Sequence, residues 1–249
     1  MASGLTVDAA ADVRIFPDPD AVARAAATHL ASLLAAKTAS GACCSLVLSG
    51  GETPRRLYRC LAEEYREHVP WAHVNIFWSD ERYVSHDDPR SNYRMARETL
   101  LDHVPVSPGH VYPMPTDPDN PDEAARRYEE TLRANFSGAR SWFDLILLGI
   151  GSDGHTASLF PNSPALDETQ RCVVVAAAPV EPKVRLTFTP PALNRADTVF
   201  FVVTGADKAP ALRRIVKDSP DPHLCPAAGV RPPRGTIIWW VDAAAASAL

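Results

Sequence analysis

Phe143-Asp144-Leu145-Ile146-Leu147-Leu148-Gly149-Ile150-Gly151-Ser152-Asp153-Gly154-His155-Thr156-Ala157-Ser158-Leu159-Phe160-Pro161 begins as an apolar run and ends as a chemical one. Leu145–Leu148 carries no polar alternation, the pattern of a strand covered on both faces. Glycines stop it abruptly, and an aspartate and a histidine follow, two positions apart. Open α/β sheets receive ligands outside the carboxyl ends of their strands. The segment therefore predicts an acid/base pair where such a sheet does its chemistry.

Outward from this stretch, apolar runs alternate with helical spacings. The candidate strands are Val13–Phe16, Cys44–Leu48, Val74–Trp78, Phe143–Leu148, Val173–Ala176, Arg185–Thr189, Thr198–Thr204 and Thr236–Val241. Between them, Asp18–Lys37, Pro54–Tyr65, Ser91–His103, Asp122–Asn135 and Asp207–Lys217 read as helices. Such βα alternation predicts an α/β fold, a mostly parallel sheet with helices on both faces. Strand outweighs helix from Phe143 to Thr204, which predicts some mixed β structure in the C-terminal half. The 23 prolines cluster in Val104–Pro121 and Ser219–Pro233, both read as loops. No shift of composition marks a boundary, so residues 1–249 read as one α/β domain, with Ala243–Leu249 as a frayed end.

Bulk properties exclude several classes. A net charge of −5 gives no general attraction to nucleic acid or anionic lipid, so neither is expected as a partner. An anionic small substrate would need a local basic cluster. No apolar run approaches the roughly 18–20 residues needed to span a bilayer. Met1–Asp12 lacks the basic and apolar regions of a secretory signal. The five cysteines (Cys43, Cys44, Cys60, Cys172 and Cys225) are odd in number and match no zinc spacing. Reduced thiols in a cytoplasmic protein are the expectation.

Several short stretches carry candidate chemistry. Ser49-Gly50-Gly51-Glu52-Thr53-Pro54 follows a strand and opens a helix. A helix N-terminus offers unpaired N–H donors and a positive dipole end, which suit a phosphate. The same residues also describe a plain tight turn with Thr53 as N-cap and Pro54 in the first turn. It is not a Walker loop, because the Gly-Lys-Ser/Thr ending is missing. Ser79-Asp80-Glu81-Arg82-Tyr83 puts three charges after the strand Val74–Trp78, to hold a polyol and a phosphate or simply to be solvated. Ser91-Asn92-Tyr93 follows, with Ser91 able to cap the next helix. Gly149-Ile150-Gly151-Ser152-Asp153-Gly154 matches a dinucleotide fingerprint, but Pro161 and Pro164 leave no room for the long helix that fingerprint requires. His155 is better read as a base that takes a proton from water near neutral pH, with Asp153 holding its tautomer. The alternative is a histidine bonded locally in a glycine turn. Ser152 and Ser158 lie nearby, but no Gly-x-Ser-x-Gly elbow is present, so water is the simpler nucleophile. Lys183 and Arg185, two apart in a strand, would share a face and clamp an anion, or protect a solvated edge. Gly205-Ala206-Asp207-Lys208 ends another strand with a first-turn cation that opposes the helix dipole.

Taken in order, Ser49-Gly50-Gly51-x-Thr53-Pro54, Ser79-Asp80-Glu81-Arg82, Ser91-Asn92-Tyr93, Gly149-Ile150-Gly151-x-Asp153 through Pro161, Pro182-Lys183-x-Arg185 and Gly205-x-x-Lys208 resemble the 6-phosphogluconolactonase family, in the glucosamine/galactosamine-6-phosphate isomerase superfamily. The resemblance covers roughly Val13 to Val241. It implies a Rossmann-like, doubly wound fold, no cofactor and no catalytic metal. It also implies hydrolysis of 6-phospho-D-glucono-1,5-lactone by water activated at a histidine, in a monomer or weak homo-oligomer. His155, Asp153 and Arg82 are then the expected catalytic residues, Arg82 or backbone N–H groups near Gly151 facing the oxyanion. Ser49, Gly50, Gly51, Thr53, Asp80, Asn92, Gly151, Lys183, Arg185 and Lys208 are expected to bind substrate. Glu52, a carboxylate inside the phosphate loop, is expected to face solvent. Glucosamine-6-phosphate deaminase shares the fold, but typically carries a glutamate where Phe160 stands and Asp-Glu-Tyr where Asp80–Arg82 stands. Both departures favour the lactonase. A non-catalytic sugar-phosphate carrier would need neither Asp153 nor His155.

Overall fold

A computed structural model describes residues 12–117, 119–139 and 141–249. The reading of the N-terminal stretch as lacking a signal falls almost wholly on 1–11, outside the described residues. The strands are β1 (Asp12–Phe16), β2 (Cys44–Leu48), β3 (Val74–Trp78), β4 (Asp80–Arg82), β5 (Leu145–Leu148), β6 (Val173–Ala177), β7 (Val184–Phe188), β8 (Thr198–Val203) and β9 (Thr236–Asp242). The α-helices are α1 (Pro19–Thr38), α2 (Glu52–Glu64), α3 (Asn92–Thr99), α4 (Pro121–Phe136), α5 (Pro190–Leu193) and α6 (Ala209–Arg213).

Six strands form one parallel sheet in the order β1-β9-β8-β5-β2-β3. Its central members β2 and β5 are buried along their whole length. That is why their sequences run apolar without alternation: helices cover the sheet, and no strand residue there faces water. The connection from β2 leads to β3 on one side, while the chain later returns as β5 on the other. The order of strands thus reverses between β2 and β5, the point at which such sheets open a crevice at their carboxyl edge.

α1 forms because Asp18 accepts the Ala21 N–H at 2.8 Å, Pro19 occupies the first turn, and Val22, Ala26, Leu30 and Leu34 recur on one buried face. At the amino edge of the sheet, Lys37 at the end of α1 lies 2.9 Å from Asp144 and 2.8 Å from Asp197. Asp144 also accepts from the Ser45 N–H and hydroxyl. This network ties the starts of β2, β5 and β8 together at the edge away from the crevice.

A second sheet, β4-β7-β6, is antiparallel throughout. It is the mixed β structure expected of the C-terminal half, with one strand drawn from the N-terminal half. Ser79 joins the two sheets: its N–H donates to Leu48 O at 2.9 Å, and its carbonyl accepts from the Phe188 N–H at 2.7 Å.

Several expectations are corrected. The charged stretch Asp80–Arg82, read as a loop, is strand β4. The helix expected over Ser91–His103 stops at Thr99 and continues as a 3-10 turn, Leu101–His103. The one expected over Asp207–Lys217 is a 3-10 turn, the short α6 and a π-helical turn over Arg214–Asp218. The two Pro-rich stretches are loops that carry single 3-10 turns at Pro108–His110 and Pro226–Gly229. Ala243–Leu249 is docked rather than frayed: Ala245 is buried and its N–H donates to Asp242 at 2.7 Å. No helix among the described residues is long and apolar enough to cross a membrane.

Candidate functional site

The loops after β2, β3, β5 and β8 all leave the carboxyl edge of one parallel sheet, so they share a rim. Contacts between them close that rim into a site. The loop after β2 begins at Ser49, whose backbone is held on both sides by Tyr58: the hydroxyl accepts from the Ser49 N–H and donates to its carbonyl. Gly50 then passes so close to Asn92 that a methyl group on it would overlap the amide. Asn92 Nδ2 donates to Asp80 O at 2.9 Å and reaches Asp80 Oδ1 at 3.3 Å. Asp80 Oδ2 accepts from the Ser158 hydroxyl at 2.7 Å, and the Ser158 N–H donates to Thr187 Oγ1. Thr53 Oγ1 meets Thr204 Oγ1 at 2.8 Å, linking the first loop to the end of β8.

The Asp153–His155 turn has the geometry of an oriented base. His155 Nδ1 lies 2.7 Å from Asp153 Oδ1, which also accepts the His155 N–H. The tautomer that satisfies this contact puts the proton on Nδ1 and leaves Nε2 with its lone pair. The ring packs against Phe160, with centroids 4.7 Å apart. On its other side is Gly151, where an added methyl would overlap both the imidazole and the Asp153 carboxylate. For Asp153, burial raises the pKa, but the His155 N–H and the neighbouring imidazole outweigh it, and the net shift is downward. A lowered carboxylate contributes stability above the ordinary value of 3.8, lost as pH falls through its lowered value. Asp153→Asn should therefore flatten the loss of stability on acidification between the ordinary value of 3.8 and the lowered one, measured as unfolding midpoint against pH.

The basic cluster differs from expectation. Lys183 lies outside β7 and is exposed, whereas Arg185 is 6% exposed, so the two do not share a strand face. The strand begins one residue too late for Lys183 to belong to it. Arg185 instead sits directly opposite Arg82 in the antiparallel register of β4 and β7. Among the described residues neither guanidinium has an ion-pair partner: Arg185 Nε donates to Pro182 O, Arg82 Nη1 donates to Arg90 O, and Arg82 Nε is buried without a partner. Burial lowers the Arg185 pKa, and the charge of Arg82 lowers it further. Asp80 and Glu81 offset part of this from a distance, but two adjacent cations without a direct ion pair form a receptor for an anion. Lys208, by contrast, is 2.9 Å from Asp207, which takes part of its charge.

Other residues take roles the sequence reading did not give them. α2 begins at Glu52 with Gly51 as its N-cap, so Thr53 is inside the first turn and is not the cap. Glu52 faces solvent as expected, paired with Arg55. Gly151 cannot offer its N–H to a ligand, because it donates to His155 O at 2.8 Å. The Ser49 hydroxyl is buried without a protein partner. Ser158, bonded to Asp80 and buried, is no nucleophile for His155. Glu81 is 1% exposed and works as a helix cap: Oε1 accepts from the Arg82 and Asn92 N–H groups, and Oε2 from the Tyr93 N–H and Ser91 hydroxyl. Burial pushes its pKa up, against those backbone donors. In Glu81→Gln the amide nitrogen would face donors with a donor. We expect a loss of about 2–3 kcal/mol in denaturant-unfolding free energy, with Asn92 displaced from Asp80.

Beside Asp153 a cleft of about 830 Å³ opens, lined by Phe160, Ala165, Val175, Lys183 and Val184. No group of three metal-ligating side chains gathers among the described residues.

Comparison with known proteins shows the family. A family model described as glucosamine-6-phosphate isomerases/6-phosphogluconolactonase matches residues 17–239. A 6-phosphogluconolactonase of Synechocystis is 46% identical over 201 residues, covering 80% of this chain and 81% of its own. One of Nostoc is 41% identical over 208 residues, covering 82% and 84%. The solved structure of 6-phosphogluconolactonase from Trypanosoma brucei superposes with a TM-score of 0.83 at 30% identity, over 96% of this chain and 98% of that one.

Proposed function

Since the chain belongs to the glucosamine-6-phosphate isomerase/6-phosphogluconolactonase family, we propose that it hydrolyses 6-phospho-D-glucono-1,5-lactone to 6-phospho-D-gluconate, within the oxidative pentose phosphate pathway, with His155 as the base. The observation that carries the reading is the Asp153–His155 pair in the loop after β5, a loop tied through Ser158 and Asp80 to the strand that bears the Arg82–Arg185 pair.

The phosphate docks against Arg185, the N–H groups of Gly50 and Gly51 and the opening turn of α2, whose first N–H groups have no intrahelical partner. Lys208 and Lys183 contribute charge from the periphery, Asn92 and Asp80 face the sugar hydroxyls, and Thr53 acts through its backbone. Anchoring the remote phosphate fixes the distance to C1 and turns binding into orientation. Water then attacks the C1 carbonyl while His155 Nε2 takes its proton. The oxyanion forms toward Arg82, whose Nε has no protein partner. Collapse of the tetrahedral intermediate breaks the bond from C1 to the ring oxygen, and His155 returns the proton to that oxygen. The products are the carboxylate and the freed C5 hydroxyl, with one proton released to solvent. Asp153 steadies the imidazolium between the two transfers and keeps Nδ1 protonated throughout.

Five free thiols support a reducing, cytoplasmic setting. The decisive assay follows lactone decay and ammonia release side by side, on 6-phosphogluconolactone and on glucosamine 6-phosphate. We expect catalysed lactone decay above the spontaneous rate and no ammonia. Ammonia release would assign the deaminase reaction, and neither activity would leave a binding protein.

A further inference from the structure

Cys225 has no part in the reaction above, yet it lies against the turn that bears it. The residue is 0% exposed and opens the 3-10 turn Pro226–Gly229. Burial pushes its thiol pKa up, so the group is a neutral, compact apolar wedge. It faces Gly154, the residue between Asp153 and His155, which adopts φ +91. The Cys225 Sγ occupies the place a Gly154 side chain would fill, while Cys225 Cα and Cβ would each stand 3.4 Å from such a carbon.

The segment around Cys225 also grips the turn through its backbone. The Ala227 N–H donates to Gly154 O at 3.0 Å, and the Asn162 N–H donates to His223 O at 2.7 Å. The segment is itself held by the Leu224 and Cys225 N–H groups, both donating to Asp221 O. On the opposite side the turn has no slack: the Gly151 N–H is bonded to His155 O, the Gly154 N–H to Gly151 O, and the imidazole rests on Gly151. A turn braced front and back has its position set by the thickness of what stands behind it.

We propose that Cys225 is a positioning residue: its sulfur fills the space behind Gly154 and fixes where the Asp153–His155 pair sits relative to the substrate carbonyl. This rests on reading His155 as the base. A displacement of about 1 Å at a reacting group is enough to cost up to 100-fold in rate. Binding of the phosphate, made by other loops, is untouched.

The test is a size exchange across the contact, read as kcat and KM for lactone hydrolysis on protein verified as folded by circular dichroism. Cys225→Ala should lower kcat about tenfold with KM within about twofold, and Cys225→Ser should fall between it and the parent. Gly154→Ala, which collides with the sulfur and also strains the backbone at φ +91, should lower kcat about 100-fold. Adding Cys225→Ala to Gly154→Ala removes the collision, leaves contact at 3.4 Å and keeps the backbone strain, so the double variant should recover the part of the loss that the collision causes. A role confined to stability would lower the unfolding midpoint of Cys225→Ala while leaving the kcat of the folded protein at the parent value. That outcome overturns the proposal. His155→Asn is run alongside. If it keeps parental turnover, the reading of His155 as base fails; if it is inactive while the Cys225 variants behave as parent, only the positioning role fails.

Discussion

His155→Asn should lower kcat for lactone hydrolysis by about 10²–10⁴-fold while KM stays within about threefold. The size follows from the role: a base that takes a proton from the attacking water and gives it to the ring oxygen only as the bond breaks is engaged in the transition states and not in the ground state. The asymmetry follows from the geometry, since no phosphate-binding group is attached to the Gly151–His155 turn. Asparagine keeps a polar side chain near Asp153 but cannot accept a proton. The lactone opens spontaneously in water, so the residual rate must be taken above that background. A variant within a few-fold of the parent kcat would remove His155 from the mechanism and leave the Arg82–Arg185 pair as the only chemistry in the site.

Arg185→Met should act in two directions at once. Loss of a charge-assisted contact to the phosphate should raise KM by about 10–100-fold, with a smaller change in kcat. At the same time the unliganded protein should become more stable. Arg185 is a buried cation beside a second cation, with no ion-pair partner among the described residues and only the field of Asp80 and Glu81 to offset it, and methionine fills similar volume without that cost. The check is a pair of thermal melts with and without inorganic phosphate. The parent should gain stability on adding phosphate; the variant should start higher and gain less. A variant that starts lower would show that the fold relies on Arg185, and would remove it as the site's reserved charge.

The central sheet was readable because its strands obey one rule. Cys44–Leu48, Leu145–Leu148 and Thr198–Val203 are covered on both faces, so burial alone writes them as apolar runs. β4 was not readable for the opposite reason. Asp80-Glu81-Arg82 contains no apolar residue and no β-branched one, and its conformation is dictated by the register with β7 and by the α3 N-terminus that Glu81 caps. Propensity cannot see a strand whose cause lies a hundred residues downstream. The same strand carries the largest error in the site. Lys183 and Arg185 were paired by spacing, when the effective partner of Arg185 is Arg82, brought opposite it by tertiary pairing. The Asp153–His155 contact, being local, was recovered from spacing alone. Cys225 carried no signal at all, since nothing in its own neighbourhood tells what it leans on. The docked Ala243–Leu249 stretch was misread for a related reason: alanines have little periodicity to show, and small residues pack where larger ones would not fit.

The placement of β1 beside β9, with Asp12 registered against Ile238, has a bearing on biosynthesis. A nascent polypeptide emerges from the ribosome amino end first, at about 5–20 residues per second. β1 is made before every other strand of this sheet, yet its hydrogen-bonding neighbour β9 is the last of them to be translated. Until β9 is made that strand has neither edge matched, and it lies open to chaperones or to other newborn chains. Sheet completion is consequently a late event, and stalled or shortened products lacking β9 leave an N-terminal segment that has nowhere native to go.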